Sequence, residues 1–287
     1  MTTRPYFIGI GAQRSATSWL YECLRVHPQI YMPRKEMQFF NKHYDKGIDW
    51  YFRHFDNTPE GCYAGEFTPD YLSSPEAVSR LHENLPDAKL IVILREPLER
   101  AFSAFQLYRS HGDYQGLSFR EAIEFNPALI RNGLYFEQLS TLFKFFPREQ
   151  VEIFLHEEVV VSASDVYLRT CEFLGIDTSF VPDSLDDIRN SSAYVELQSR
   201  FGVNRMANLY RTPSLHWVRK ILNATGIKEW VRVRLSEKLR SKEGSQSVGD
   251  DVLEMLISDT RKLGPLIGID LSIWNDRQLA ARRFTDF

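Results

Sequence analysis

Apolar residues along this chain fall into two recurring patterns. Short unbroken runs alternate with longer stretches in which apolar positions return every three to four residues. Residues 5–11 and Lys89–Leu94 are unbroken runs, the second wholly apolar after its lysine, and both read as strands buried on two faces. Tyr63–Glu66 and Val151–Leu155 read as shorter strands. Between them, helical spacing predicts a helix over 15–26, with Trp19, Leu20, Cys23 and Leu24 on one side and His27-Pro28 as its stop. A short strand or extended loop over 29–41 and an aromatic helix over 47–55 follow, then a helix over Pro75–Leu85. Pro97 suits the first turn of another helix, running to about Ser110. Helices near 118–125, 131–146 and 163–174 come next, then a polar, turn-rich connection over 175–193. The last third is helical and basic over 214–224 and 227–240, with a loop at Ser241–Ser247 and an amphipathic helix over 250–263.

Strands alternating with helices predict an α/β fold: a P-loop-like parallel sheet flanked by helices, with a helical C-terminal region. Ligands of such sheets sit beyond the carboxyl ends of the strands. The 287 residues show no repeat and no separating linker, so a single domain over 1–287 is expected. A net charge of −3 argues against a global nucleic-acid or membrane-surface field, and no nucleic-acid partner is expected. Cys23, Cys62 and Cys171 are widely spaced and suggest neither a zinc site nor a disulfide framework. Met-Thr-Thr-Arg-Pro leads straight into the first strand, and no apolar run approaches the ~20 residues of a membrane span. A soluble, cytoplasmic location is the resulting expectation; oligomeric state is left open.

Two strand ends carry candidate chemistry. After the first strand comes Gly11-Ala-Gln-Arg-Ser-Ala-Thr-Ser18, a small-residue turn leading into a helix. Free N–H groups and the helix dipole favour an anion there, and Ser15, Thr17 and Ser18 add hydroxyls. Against G-x-x-x-x-G-K-[ST], Gly11 and Ser18 fit, Ala16 replaces the second glycine, and Thr17 replaces the lysine. Arg14 is the loop's cation. The alternative for Ser15 is that it simply N-caps the helix. The second strand end is Arg95, where a nucleotide enzyme of the Walker type often places a metal-organising Asp. Ser103, about two turns into the next helix, could face the same side. Arg and Ser suit a second phosphate; the alternative is an Arg95 pair with Glu96 or Glu99.

These residues resemble sulfotransferases that use PAPS (3′-phosphoadenosine 5′-phosphosulfate). Gly11–Leu20 is similar to their 5′-phosphosulfate loop, and Leu94-Arg-Glu-Pro-Leu-Glu-Arg-Ala-Phe-Ser103 to their 3′-phosphate strand and helix. Lys35-Glu-Met-Gln-Phe-Phe-Asn41, Asp49–Phe55 and Gly65-Glu-Phe-Thr-Pro-Asp-Tyr71 are similar to the carbohydrate, heparan-sulfate-like branch. Gly133-Leu-Tyr135 and Gly268–Trp274 extend the resemblance along nearly the whole chain. The resemblance implies PAPS as sulfuryl donor, PAP as product and no metal. It implies that Arg14, Ser15, Ala16, Thr17 and Ser18 hold the 5′ end, and that Arg95 and Ser103 hold the 3′-phosphate. Tyr135, Lys242 and Gly244 are further cofactor candidates. Glu36 matches the branch's general base, with Arg14 in the place of a usual lysine; the alternative for Glu36 is an exposed partner of Lys35. Two departures are Ala16, where glycine is common, and Phe67, where some members carry a second lysine. The implied activity is metal-independent, in-line sulfuryl transfer to a hydroxyl or amine of a carbohydrate, glycolipid or related small-molecule acceptor. A PAP-binding module without turnover and a divergent P-loop kinase are the competing classes.

Overall fold

The structure is a computed structural model that describes residues 5–185 and 248–282. The helices expected over 214–224 and 227–240, and the loop with Lys242 and Gly244, lie outside the described residues. Five parallel strands form one sheet: β1 (Tyr6–Gly11), β2 (Ile30–Tyr31), β3 (Tyr63–Phe67), β4 (Lys89–Leu94) and β5 (Val151–Leu155), in the order β2-β3-β1-β4-β5. The flanking helices up to the fourth strand are α1 (Thr17–Leu24), α2 (Phe39–Lys42), α3 (Ile48–Arg53) and α4 (Pro75–Asn84). Then come α5 (Pro97–Ser110), α6 (Phe119–Phe125), α7 (Ala128–Arg131), α8 (Tyr135–Phe145), α9 (His156–Val161) and α10 (Ala163–Leu174). The C-terminal pair is α11 (Asp250–Ile267) and α12 (Ser272–Arg282).

The period-two geometry of a strand explains why the apolar runs are unbroken. Ile8, Ile10, Leu90, Val92, Leu94, Ile153 and Leu155 belong to one core, shared with Phe39, Phe40, Tyr51, Leu139, Leu142 and Trp274. Their neighbours Phe7, Ile91, Ile93 and Phe154 belong to the opposite core, with Trp19, Leu20, Cys23, Val166 and Cys171. A third cluster joins α5, α6 and α7 to α11 through Ala101, Phe105, Phe119, Leu129, Leu253 and Leu256.

Several boundaries differ from the periodicity. The first helix begins at Thr17, not Ser15; Ala16, in the left-handed region at φ 69°, occupies the cap without a side-chain hydrogen bond. The 29–41 segment holds a two-residue strand, an irregular stretch and then α2. The helix expected over 131–146 is split at Gly133, where a Cβ would meet Pro97 Cβ at 3.0 Å, so the chain breaks to pack against the start of α5. α9 follows β5 without a turn-residue signal. α12 buries polar Gln278 beside Trp274, which weakens the apolar period that would have announced it.

One close approach fixes the centre of the sheet. A Cβ on Gly9 would stand 2.0 Å from Phe67 Cδ1, and the Phe67 ring packs edge-on against Phe7 at 6.2 Å. Glycine in β1 therefore makes the space into which the last residue of β3 folds. Gly9→Ala is expected to lower unfolding free energy by about 1–3 kcal/mol, the usual cost of overpacking, read from the urea midpoint at unchanged m-value.

Candidate anion-binding and proton-transfer site

The turn after β1 is held from outside itself. Ala12 N–H donates to Ile93 O of β4 at 2.8 Å, and the Gln13 amide exchanges hydrogen bonds with the Tyr108 hydroxyl of α5 at 3.2 and 3.3 Å. Arg14 (φ 70°) and Ala16 both take left-handed conformations. Such residues cost more than glycine would, but they turn successive backbone groups into a concave surface at the start of α1. Ser15 is fully buried there, and its hydroxyl has no hydrogen-bond partner among the described residues. It is not a cap; it is an unmatched polar group inside an anion-favouring turn. Thr17 is buried beside it and Ser18 is exposed.

Across the turn stands the end of β4. Arg14 Nε donates to Ser103 Oγ at 3.1 Å, and Arg95 Nη1 donates to the Arg14 carbonyl at 3.4 Å. The fold thus brings Arg14, Ser15, Ala16, Thr17, Ser18, Arg95 and Ser103 to one place. Burial, and then the positive charge of Arg95, push the Arg14 pKa below its ordinary value. Among the described residues no carboxylate forms an ion pair with Arg14. Two guanidiniums and an unpartnered hydroxyl at a helix N-terminus form a set that an anion would complete.

Arg95 is itself braced. Its Nε lies 3.5 Å from Glu99 Oε2, so the ion pair foreseen as an alternative is present. Glu99 is shared, however, because Arg277 of α12 also reaches it at 2.8 Å and reaches Glu157 at 3.1 Å. Glu96 turns inward. It accepts the Leu98 and Glu99 N–H groups that open α5 and the Gln278 side-chain amide at 2.9 Å. Burial, together with the charge of Glu99, raises its pKa. Tyr135 is fully buried and donates its hydroxyl to the Arg95 carbonyl at 3.0 Å. It therefore supports the Arg95 backbone from within the core. Asp259 of α11 accepts the Phe136 N–H at 3.2 Å and secures the start of α8 beside it. His156 lies in the same field: burial, then Arg95 and Arg277, hold its pKa down at about 3, so the ring is neutral.

Glu36 sits on a segment suspended from β3. Its own N–H donates to Phe67 O at 2.9 Å, and its backbone is left-handed at φ 56°. Met37 N–H donates to Glu66 Oε2 at 3.0 Å, Gln38 N–H to Thr68 Oγ1 at 3.3 Å, and Phe39 N–H to the Tyr71 hydroxyl at 2.8 Å. Both hydroxyls pass their own hydrogens to Glu66, Thr68 at 2.6 Å and Tyr71 at 2.9 Å. Tyr51 adds a longer contact at 3.4 Å. Glu66 is fully buried, and burial raises its pKa to about 7 against the opposing pull of those donors. The Glu36 carboxylate remains partly exposed. Lys35 Nζ lies 3.7 Å from Glu36 Oε1 and 2.6 Å from Ser18 Oγ, so the Lys35–Glu36 pair also reaches the cradle. On the same segment, the Gln38 amide donates to Asp70 Oδ2 at 3.3 Å and accepts from the Asn41 amide at 2.8 Å.

Glu66 and Lys35 were not singled out by the sequence reading. The signal for Glu66 was a carboxylate in an otherwise apolar strand end. That for Lys35 was a cation beside the candidate base. Of the nearby aromatics, Phe39, Phe40, Tyr51 and Tyr71 are core, with Phe39 stacked on Tyr51 at 4.9 Å. Among the described residues, no group of three or more His, Cys, Asp or Glu side chains converges as a metal site, and no helix is long and apolar enough to cross a membrane.

Comparison with known proteins places this geometry. The chain matches the sulfotransferase domain family over residues 5–242. It is 31% identical over 179 residues to heparan sulfate glucosamine 3-O-sulfotransferase 6 of Mus musculus, covering 60% of this chain and 52% of that protein. It is 33% identical over 195 residues to the bifunctional heparan sulfate N-deacetylase/N-sulfotransferase 3 of Homo sapiens, covering 60% of this chain and 22% of that one. The chain thus spans about half the length, or less, of these relatives. The crystal structure of a sulfotransferase from Alicyclobacillus acidocaldarius aligns with a TM-score of 0.66 at 27% identity, over 95% of this chain and 99% of its own.

The Glu66 assembly has a measurable pH signature. The folded protein keeps the Glu66 proton up to about 7, whereas an ordinary glutamate releases it near 4.5. Between those values the folded state binds more protons than the unfolded chain, so this group makes stability fall as pH rises. Glu66→Gln should flatten that decline. It should also cost about 1–3 kcal/mol, because the amide sets an N–H against a hydroxyl already committed to donate. Urea unfolding of both proteins across this pH range reads both effects.

Proposed function

This chain belongs to the sulfotransferase family, and on that premise we propose that it moves a sulfuryl group from PAPS to a hydroxyl or amine of a carbohydrate or related acceptor. The observation that carries the reading is the convergence of Arg14, Arg95 and the unpartnered Ser15 hydroxyl at the N-terminus of α1, with the Glu36 carboxylate linked to the same turn through Lys35 and Ser18. The donor set fits a nucleotide with two separate phosphate groups. Backbone N–H groups and hydroxyls of Ser15–Ser18 hold the 5′-phosphate, and Arg95 with Ser103 holds the 3′-phosphate. Ala16 contributes its backbone to this cradle. Lys242 and Gly244 remain candidates for a later contact.

Bound PAPS supplies an activated sulfuryl group as a mixed anhydride with phosphate. Glu36 takes the proton of the attacking hydroxyl or amine. As the S–O bond to phosphate breaks, charge grows on the departing phosphate oxygen, where Arg14 and the start of α1 offset it. The left-handed backbone at Glu36, and the N–H groups of residues 36–39 donating to acceptors on Phe67, Glu66, Thr68 and Tyr71, keep the carboxylate in place before the acceptor arrives. The carbohydrate acceptor is supported by the names of the relatives, which act on heparan sulfate. Gln38, Asn41 and Asp70, hydrogen-bonded to one another, offer it hydrogen-bonding groups.

Transfer from radiolabelled PAPS to N-desulfated heparin, glucosamine and simple phenols tests the class of reaction, and calorimetry with PAP and with ATP–magnesium tests the cradle. Tighter binding of ATP–magnesium than of PAP would overturn the reading. Glu36→Gln is expected to slow turnover by about 10²–10⁴-fold while PAP affinity stays within a few-fold. Arg95→Ala is expected to weaken PAP by roughly tenfold or more, the scale of one charge-assisted contact. Parallel loss of turnover and PAP binding in Glu36→Gln would mark that residue as structural.

A further inference from the structure

We propose that Lys35 supplies the compact cation that grips the sulfuryl group in transit, the role for which the first loop has no lysine. The proposal rests on the sulfotransferase reading above and names a residue that the reading does not require. Thr17 occupies the P-loop lysine position. Phe67 is fully buried against Gly9 and brings no charge to the site. Arg14 is turned toward α5, with Nε on Ser103. Lys35 reaches the other side of the cradle.

Three contacts locate its ammonium. Nζ donates to Ser18 Oγ at 2.6 Å, lies 3.7 Å from Glu36 Oε1, and stands 5.9 Å from the centre of the Tyr21 ring. Tyr21 is in turn packed edge-on against Phe67 at 6.2 Å, so the aromatic wall beside the ammonium is anchored in the core. Ser18 belongs to the cradle that holds the leaving phosphate, and Glu36 marks where the acceptor loses its proton. In an in-line displacement the sulfur passes between those two points. A cation bridging them lies alongside the transferring group.

As a surface ion pair, Lys35–Glu36 contributes little to folding, because both side chains are partly exposed and such pairs are screened. Its value is positional. A small ammonium presents hydrogens in several directions, unlike the planar fork of Arg14, and suits three sulfuryl oxygens whose orientation changes during transfer. The acceptor–sulfur bond forms as the sulfur–oxygen bond to phosphate breaks. The acceptor proton goes to Glu36, and the electron pair of the broken bond stays on the 5′-phosphate oxygen of PAP. Lys35 gains and loses nothing; it faces the sulfuryl oxygens throughout.

The contact is specific to the sulfuryl group, which PAPS carries and PAP lacks. Calorimetry on wild type, Lys35→Met and Lys35→Arg therefore reads it without an acceptor. Lys35→Met is expected to weaken PAPS by roughly tenfold or more while PAP stays within a few-fold, and Lys35→Arg to recover part of the PAPS loss. Turnover of PAPS, with water or N-desulfated heparin as acceptor, should fall by about 10²–10³-fold in Lys35→Met, as for loss of one preorganised donor. Equal weakening of PAP and PAPS, or no change in their ratio, overturns the assignment. A folded wild-type protein that binds neither nucleotide overturns the sulfotransferase reading itself.

Discussion

The Glu66 carboxylate lies without solvent exposure near the end of β3, and donors from two directions end on it. Two of the hydroxyls that donate to it, those of Thr68 and Tyr71, each accept an N–H from the 36–40 segment. The Gln38 N–H runs through Thr68, the Phe39 N–H runs through Tyr71, and Met37 donates directly. A segment containing two left-handed residues, Glu36 and Gln38, would not hold that shape on local preference alone. Its amides must find acceptors, and one buried carboxylate orders the hydroxyls that provide them. Burial opposes the charge on Glu66, while the converging donors favour it. The position of the candidate base is thus tied to a balance struck in the core, at a residue far away in sequence.

The other half of the site carries a complementary strain. Arg14 and Arg95 are held close by the fold, and Ser15 keeps a buried hydroxyl without a partner. Groups so placed favour an anion on electrostatic grounds. The carboxylates nearby do not cancel the positive charge. Glu96 is turned into the α5 cap and Gln278, and Glu99 is divided between Arg95 and Arg277. The C-terminal helix is what draws them away, since Gln278, Arg277 and Trp274 all belong to α12 and all bind these glutamates or Glu157.

The sheet was legible because its central strands β1 and β4 are buried on both faces and carry nearly unbroken apolar runs; β1, β4 and β5 stand close to where they were expected. That the turn at Gly11–Ser18 and the pair Arg95–Ser103 come together was legible because neighbouring parallel strands end on the same side of the sheet. Harder to read were residues whose purpose depends on contacts distant in sequence. Tyr135 became a backbone support for Arg95, forty positions earlier, and Glu66 became a hub only once the 36–40 loop folded against it. α12 was obscured because its inward face is partly polar, matched by carboxylates from α5 and α9. The helix start expected near Ser15 moved to Thr17 because the left-handed turn at Ala16 intervenes.

The absence of a second lysine at the end of β3 acquires a structural explanation from this arrangement. Phe67 fills the space opened by Gly9 and packs against Phe7 and Tyr21, so the end of β3 contributes to the core and not to the charge of the site. A cation brought in from that strand would have to displace a fully buried ring. Lys35 avoids the conflict by entering from the loop, over the exposed edge of Tyr21, where its ammonium can remain hydrated until a ligand arrives. The packing of one aromatic residue thus decides from which side of the cradle positive charge can be delivered.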